Sequence, residues 1–141
     1  MEIRLMKPEE IAGGLALVRQ VFLEFEAPDY PPEGVEEFFR FLDDPEQTGS
    51  LRFYGAWEGA ELTGVLAARN RHICLLFVRR KFHRRGIARA LTNAYFREQT
   101  GPVTVNSSPY AGEAYRHLGF RETGPQQTVN GITFTPMVRE V

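Results

Sequence analysis

The run HICLLFV (72–78) places the strongest constraint on the fold, because six of its seven residues are apolar. A short run of this kind is typical of a central β-strand that is covered on both faces. Downstream, Ile87, Leu91 and Tyr95 predict an amphipathic helix, and PVTVN (102–106) predicts another strand. Such a unit pairs its two strands in parallel through a right-handed crossover. Helices are therefore expected above and below the sheet that contains it.

The rest of the chain predicts further elements of the same sheet. Apolar patterns favour helices near 11–25, 35–42 and 111–118, strands near 2–6, 51–58 and 62–69, and a type I′ turn at Asn130 and Gly131. The predicted fold class is α+β (mixed α/β), with a mostly antiparallel sheet, one parallel pair (72–78 and 102–106) and helices on both faces. Strict alternation along the central strand would place His72, Cys74 and Leu76 on one face.

Composition and charge exclude several classes of protein. A length of 141 residues with 43% apolar residues indicates one globular domain, 1–141. Because 17 Lys and Arg nearly balance 18 Asp and Glu, neither nucleic acid nor a membrane is an expected partner. Cys74 is the sole cysteine, which excludes an internal disulfide and favours the reducing cytoplasm. The sequence shows no signal peptide, no membrane span and no metal-ligand spacing of its three histidines, so no metal is expected.

Positive charge is concentrated between the central strand and the next helix. Six basic residues fall within 11 positions: Arg79, Arg80, Lys81, Arg84, Arg85 and Arg89. A helix N-terminus exposes unpaired N–H groups, so the loop HRRGIA (83–88) could hold a phosphate, with Gly86 and Ala88 small enough to let it approach. The same residues could equally form a solvated basic turn. Neither G-x-x-x-x-G-K-[ST] nor G-x-G-x-x-G is present, so a P-loop or a Rossmann site is not supported.

Two segments resemble the acyl-CoA-binding signatures of the GNAT superfamily of N-acetyltransferases. The sequence LLFVRRKFHRRGIARAL (75–91) is similar to the family's apolar strand, short loop and [QR]-x-x-G-x-[GA] pyrophosphate loop. The pattern A-x-x-x-Y-x-x-x-G-F then runs from Ala111 to Phe120. The order of the predicted elements also fits the α/β/α fold of this family over essentially the whole chain.

Two positions depart from the family pattern. His83 stands where Gln or Arg is usual, and Ser108 stands where Asn is common. The loop acts chiefly through its backbone amides, from Arg84 to Ala88. The departures are therefore expected to weaken cofactor binding rather than to abolish it.

The resemblance implies acetyl-CoA as co-substrate, an amine as acceptor and direct attack of that amine on the thioester. It assigns cofactor binding to the strand ends and the loop: Phe77, Val78, His83, Arg84, Arg85, Gly86, Ile87, Ala88, Asn106 and Ser108. The N–H of Val78 would stabilise the thioester oxygen. Tyr115 would protonate the leaving sulfur, although it also fits the apolar stripe of its helix. His72 stands where many members carry a basic carboxylate, and it could equally be a structural histidine.

The acceptor side of the site leaves more alternatives open. Four acidic residues cluster around APDYPPEG (27–34): Glu24, Glu26, Asp29 and Glu33. They could attract a cationic amine or form a solvated helix end, and Tyr30, Trp57 and Phe134 could be pocket walls or core. The acceptor would be a small-molecule or protein amine, and a homodimer is left open. Two rival functions are a polyanion-binding module and an acyl-CoA-binding protein without turnover.

Overall fold

A computed structural model of the chain describes residues 1–140. The helices are α1 (Ile11–Phe25), α2 (Pro32–Leu42), α3 (Pro45–Gly49), α4 (Ile87–Phe96) and α5 (Gly112–His117). The strands are β1 (Glu2–Leu5), β2 (Arg52–Glu58), β3 (Glu61–Arg69), β4 (His72–Val78), β5 (Val103–Ser107), β6 (Arg121–Glu122), β7 (Gln127–Val129) and β8 (Ile132–Arg139). No helix in this part of the chain has the length and hydrophobicity needed to cross a membrane.

The strands form one sheet in the order β1-β2-β3-β4-β5-β8-β6, and β7 pairs with β8. Within the described residues, β4 and β5 are parallel and every other pairing is antiparallel. This architecture confirms the predicted fold class. The boundaries differ slightly, because β5 begins at Val103, one residue after the proline that cannot donate to a strand ladder.

Two apolar cores lie on opposite faces of the sheet. The core beneath α4 and α5 contains Ile73, whereas the core beneath α1 and α2 contains Leu75 and Phe77. All three side chains belong to β4, and each is at most 7% exposed. The nearly continuous apolar character of this strand is therefore explained by helices on both of its faces, as predicted.

A β-bulge interrupts the alternation of β4. Ala67 pairs with Leu75 and Ala68 with Ile73, so Cys74 is an extra residue without a partner on β3. Cys74 packs against the core beneath α1, whereas Leu76 packs against the core beneath α4. The prediction that His72, Cys74 and Leu76 share one face is therefore wrong. A bulge inserts one residue, so the side chains beyond it face the opposite side of the sheet from the one that strict alternation predicts. A run that is apolar throughout gives no indication of where a bulge lies.

The parallel strands β4 and β5 separate after a short paired region. They pair only at His72 with Thr104 and at Ile73 with Val105, although β4 continues to Val78. The opposite edge of β5 pairs with β8 along its whole length, so β5 is drawn away with that strand. A cleft consequently opens between the carboxyl ends of β4 and β5.

The hairpin between β7 and β8 closes against the start of α2. Asn130 and Gly131 have φ values of 53° and 80°, in agreement with the predicted type I′ turn. Gly34 of α2 lies so close to this turn that a Cβ atom there would collide with the carbonyl oxygen of Gly131. The hydroxyl of Tyr30 also donates to the carbonyl of Thr133 at 3.4 Å. These contacts hold the hairpin beside the cleft.

We expect Gly34→Ala to lower the free energy of unfolding by about 2 kcal/mol, because the new methyl group must displace backbone at the hairpin. Gly13→Ala is the matched control, since Gly13 lies in α1 and an added Cβ atom would have nothing within 4 Å. The control should gain about 0.5–1 kcal/mol from helix propensity alone. Chemical denaturation of both variants measures the difference. Equal stabilities would contradict the tight contact between α2 and the hairpin.

Candidate active site

A cavity of about 510 Å³ lies at the open end of β4. Its walls come from the ends of α1 and β4, the loop before α4, the first turn of α4, and α5. We call it the first cavity. Among the residues predicted to bind the cofactor, it is lined by Phe77, Val78, His83, Arg84, Gly86, Ile87 and Ala88.

The start of α4 presents a series of unpaired backbone amides to this cavity. Gly86 precedes the helix in a left-handed conformation, φ 76°, and no side chain caps the helix. Arg84 is also left-handed, φ 63°, a backbone conformation that occurs in concave anion-binding loops. The first amide with a backbone acceptor is that of Ala90, which donates to Gly86. Within residues 1–140, the amides of 84–89 therefore remain available to a ligand.

Three of the six clustered basic residues are already engaged elsewhere. Arg79 donates to the carbonyl of Leu62 at 2.8 Å and Arg89 to that of His117 at 2.8 Å, while Lys81 forms an ion pair with a nearby carboxylate. Arg85 lies over the ring of Phe82, 5.3 Å from its centroid, and its side chain is not part of the first cavity wall. All six basic side chains except that of Arg79 nevertheless remain exposed, so much of the positive charge around the loop is accessible to an anion.

The backbone of β4 directs an amide into the cleft. The N–H of Arg79 donates to the carbonyl of Thr63, which makes Gly64 and Val78 a non-hydrogen-bonded pair. In such a pair the N–H and C=O groups point away from the neighbouring strand, here away from β3 and toward the opened β5 side. The Val78 carbonyl accepts a hydrogen bond from Nε2 of His83 at 2.7 Å. Its N–H is left facing the cleft.

A second cavity of about 300 Å³ lies between α2, the middle of β4, the end of β5 and the β7–β8 hairpin. It contains His72, Asn106 and Ser108 from the predicted set, so Asn106 faces this cavity and not the first one. The two cavities share five residues: Glu26, Leu76, Phe77, Ala111 and Tyr115. A molecule in one cavity and a molecule in the other would therefore meet at these residues.

Tyr115 stands at the junction of the two cavities. Its side chain is 8% exposed and packs edge-on against Phe120, with ring centroids 5.5 Å apart. Burial, together with the charge of Glu26, raises the pKa of its phenol. No polar side-chain atom in residues 1–140 is fully buried without a partner, and the Tyr115 hydroxyl has no hydrogen bond there. The hydroxyl must therefore reach the cavity space.

His72 lies at the closed end of the cleft, where β4 and β5 are still paired. Its Nδ1 contacts the hydroxyl of Thr104 at 2.8 Å. Burial, with a smaller contribution from the charge of Arg69, lowers its pKa, so the imidazole is neutral at pH 7. Burial also raises the pKa of the neighbouring Cys74 thiol, which makes a thiolate nucleophile unfavourable there.

Ser108 organises the turn that leads from β5 into α5. Its Oγ accepts the N–H of Ala111 at 3.2 Å, and the Ser107 hydroxyl donates to its carbonyl at 2.9 Å. Ser108 thus caps the turn that precedes α5, which itself begins at Gly112. This turn places Tyr115 one helical turn beyond Ala111 and at the junction.

The acidic cluster predicted around residues 27–34 divides into two environments. Glu24, Asp29 and Glu33 are exposed, as expected of a solvated helix end. Glu26 instead turns into the cleft and lines both cavities. Burial raises the pKa of its carboxyl to about 7, although the Ser108 hydroxyl favours the ionised form; the charge of Asp29 adds to the rise. Its acidic character was visible in the sequence, but its position was not.

The three aromatic residues predicted as pocket walls do not all line a cavity. Tyr30 lines the second cavity, whereas Trp57 lies on β2 with Arg4 stacked 3.9 Å from its ring and lines neither cavity. Phe134 belongs to β8 and also lines neither cavity. In residues 1–140, no group of three or more His, Cys, Asp or Glu side chains is arranged to hold a metal ion.

Comparison with known proteins gives the following similarities. Residues 26–141 match the family model described as an acetyltransferase (GNAT) domain. The fold is similar to that of a GCN5-related N-acetyltransferase from Rhodopseudomonas palustris, with a TM-score of 0.84 and 20% identity over 99% of this chain and 95% of that one. No curated protein matches the chain in sequence.

Two similar structures contain coenzyme A. One is PaiA N-acetyltransferase from Thermoplasma acidophilum, with a TM-score of 0.70 and 15% identity over 100% of both chains. The other is an aminoglycoside 6'-N-acetyltransferase, with a TM-score of 0.69 and 14% identity over 99% of this chain and 97% of that one. At these identities the likeness concerns the fold, whereas the family match covers most of the sequence. This chain belongs to the GNAT acetyltransferase family.

Proposed function

We propose that residues 1–141 act as one N-acetyltransferase domain that transfers an acetyl group from acetyl-CoA to an amine. One observation carries the proposal: the free amides before and within the first turn of α4, the N–H of Val78 and the Tyr115 hydroxyl all face the first cavity. These are the groups that a thioester with a diphosphate-bearing carrier would require. The coenzyme A complexes of two similar structures support the same choice of co-substrate.

In this proposal the loop 83–88 holds the diphosphate. The amides of 84–89 donate to its oxygens, and the positive end of the α4 dipole favours its charge. Arg84 makes no hydrogen bond or ion pair within the described residues and lines the first cavity, so its guanidinium is available for a phosphate. The hydrogen bond from His83 to the carbonyl of Val78 fixes the loop relative to the end of β4.

The reaction needs an activated carbonyl and a proton for the leaving sulfur. The N–H of Val78 donates to the thioester oxygen and stabilises the negative charge that develops there as the amine attacks. Tyr115 donates its proton to the departing thiolate. Its raised pKa keeps the phenol protonated, although it also reduces the driving force for this transfer. His72 is the residue that the sequence proposes as the base, and the pH dependence of the rate tests that role.

The first test is whether acetyl-CoA binds. At about 100 times its dissociation constant it should stabilise the fold by about 2.7 kcal/mol. For a domain of this size that corresponds to a rise of roughly 8 °C in Tm. Thiol release with a panel of amines then measures transfer.

Three outcomes separate the proposal from its rivals. Stabilisation followed by thiol release with an amine is the expected result. Stabilisation without transfer to any amine would indicate an acyl-CoA-binding protein. If acetyl-CoA has no effect but oligonucleotides bind with strong salt dependence, the basic loop serves a polyanion instead.

A further inference from the structure

Glu26 lies in the cleft but has no role in the steps of the proposed acetyl transfer. It directly follows α1, and its side chain lines both cavities together with Tyr115. Its carboxyl group forms no ion pair within residues 1–140, and no positively charged group contributes to its pKa shift. A carboxyl without a countercharge therefore lies at the point where the two cavities meet.

Several features of the fold disfavour a negative charge at this position. The carboxyl is largely withdrawn from water, and it follows the C-terminal turn of α1, where the helix dipole is negative. Burial and the charge of Asp29, opposed by the hydrogen bond from Ser108, raise the pKa of Glu26 to about 7. A cation placed beside Glu26 would offset the cost of the negative charge. A perturbed carboxyl in a cleft is for this reason a candidate functional group.

The second cavity has walls that suit an apolar molecule with one positive charge. Its aromatic side chains are those of Tyr30, Phe38, Phe41, Phe77 and Tyr115. Glu37 also lines it but already forms an ion pair with Arg40. No lysine or arginine is among the residues that line it, as far as the described chain extends. A ligand carboxylate would therefore find no countercharge there, whereas an ammonium group would find Glu26.

We propose that Glu26 binds the ammonium group of a small amine whose apolar body fills the second cavity, and that it accepts the proton which must leave before the amine can attack. This inference rests on the proposed acetyl transfer. The neutral nitrogen then forms the C–N bond as the C–S bond breaks. The thiolate takes the proton of Tyr115, and the nitrogen, positively charged after the attack, gives its second proton through water to the Tyr115 phenolate. Protonated Glu26 returns the first proton to solvent.

Glu26 is better placed for this step than His72. Val78 lies six positions after His72 along β4, a span of at most about 20 Å that the bulge at Cys74 shortens. Glu26 and Val78 line the same cavity. The predicted base His72 would therefore need a chain of water molecules, whereas Glu26 would act directly on an amine at the junction.

The pH dependence of kcat/KM distinguishes the two bases. Glu26 must be ionised to accept a proton, so the rate should rise with pH to a plateau above about 7. An alkyl amine titrates near 10, like lysine, so its ionisation does not affect the rising, acidic limb of the pH–rate profile. If His72 were the base instead, its lowered pKa would place the rise in kcat/KM below pH 6.5. The charge of Asp29 acts on Glu26, and the charge of Glu26 acts on Tyr30 and Tyr115. The other titratable or charged side chains that share a cavity with Glu26 are His83, Arg84, Arg89, Tyr110 and His117 in the first cavity and His72, Cys74 and Glu37 in the second.

We expect Glu26→Gln to lower kcat/KM for 2-phenylethylamine at least tenfold at pH 8 and to remove the limb near 7. The amide removes an unpaired charge, so folding and acetyl-CoA binding should be retained. Glu24→Gln is the matched control, because Glu24 lies on the exposed side of the same helix end. His72→Ala should keep the limb near 7. Full activity of Glu26→Gln with an unchanged limb would overturn the inference while leaving the proposed acetyl transfer intact.

The substrate class is tested with two amines that differ only in a carboxylate. We expect 2-phenylethylamine to be acetylated at least tenfold more efficiently than phenylalanine, because the carboxylate would lie among acidic and apolar groups. Equal efficiency, or a preference for a lysine-containing peptide over both small amines, would contradict a small carboxylate-free acceptor.

A calorimetric measurement tests Glu26 independently of turnover. With a pKa of about 7 the Glu26 carboxyl is partly protonated at pH 7, so binding of 2-phenylethylamine should release a fraction of a proton per amine bound. Titrations in buffers with different ionisation enthalpies measure this release. Glu26→Gln should bind the amine more weakly and release no proton. The same proton release from the variant, or no binding to the wild type, would overturn the inference.

Discussion

Replacing Gly86 with valine is expected to weaken acetyl-CoA binding about 100-fold, or by about 2.7 kcal/mol. A Cβ atom at Gly86 would have nothing within 4 Å, so the space in front of the α4 amides is open. A branched side chain would occupy that space and keep the diphosphate away from the amides. Gly86 also has a φ of 76°, which a β-branched residue adopts only with strain. Titration calorimetry of acetyl-CoA measures the loss.

Gly59→Val separates backbone strain from obstruction of the ligand. Gly59 lies in the exposed turn between β2 and β3, has a φ of 58° and likewise has nothing within 4 Å of an added Cβ. Both variants should lose similar stability, about 1–2 kcal/mol. Only Gly86→Val should lose the thermal shift that acetyl-CoA produces. If Gly86→Val binds acetyl-CoA as tightly as Gly59→Val, the loop 83–88 does not hold the diphosphate.

Tyr115→Phe is expected to lower kcat about 100-fold with little change in the dissociation constant of acetyl-CoA. The substitution removes only the hydroxyl and leaves the packing on Phe120 in place. The proton for the thiolate would then have to come from water. Because burial and Glu26 raise the pKa of the phenol, the wild-type enzyme should lose no activity through ionisation of this tyrosine up to about pH 10.

Tyr95→Phe is the control for this variant. Tyr95 is a buried tyrosine of the same core, and it lines neither cavity. Removing the Tyr95 hydroxyl takes the same chemical group from a buried ring, and it should leave kcat within about twofold of the wild type. Pre-steady-state thiol release shows whether the chemical step itself has slowed. Unchanged kcat in Tyr115→Phe would assign Tyr115 to the core alone.

The regular parts of the fold follow from patterns that are local in the sequence. The apolar run of β4, the amphipathic spacing in α4 and the turn at Asn130 and Gly131 depend on neighbouring residues, and the structure confirms each of them. The bulge at Cys74 does not follow from such a pattern, because it depends on register against β3. It changes which side chains face each core without changing the hydrophobicity of the run.

The sequence by itself determined the order of the elements apart from α3 and β6, the glycine-containing loop before α4 and, through the resemblance to the GNAT family, the candidate roles of Val78, Gly86 and Tyr115. It could not separate Glu26 from the three acidic neighbours that remain exposed, because all four share composition and a helix end. Only the tertiary structure decided that difference. The separation of β5 from β4 opens a cleft beneath α1, and burial depends on which distant segments surround a residue rather than on its neighbours along the chain.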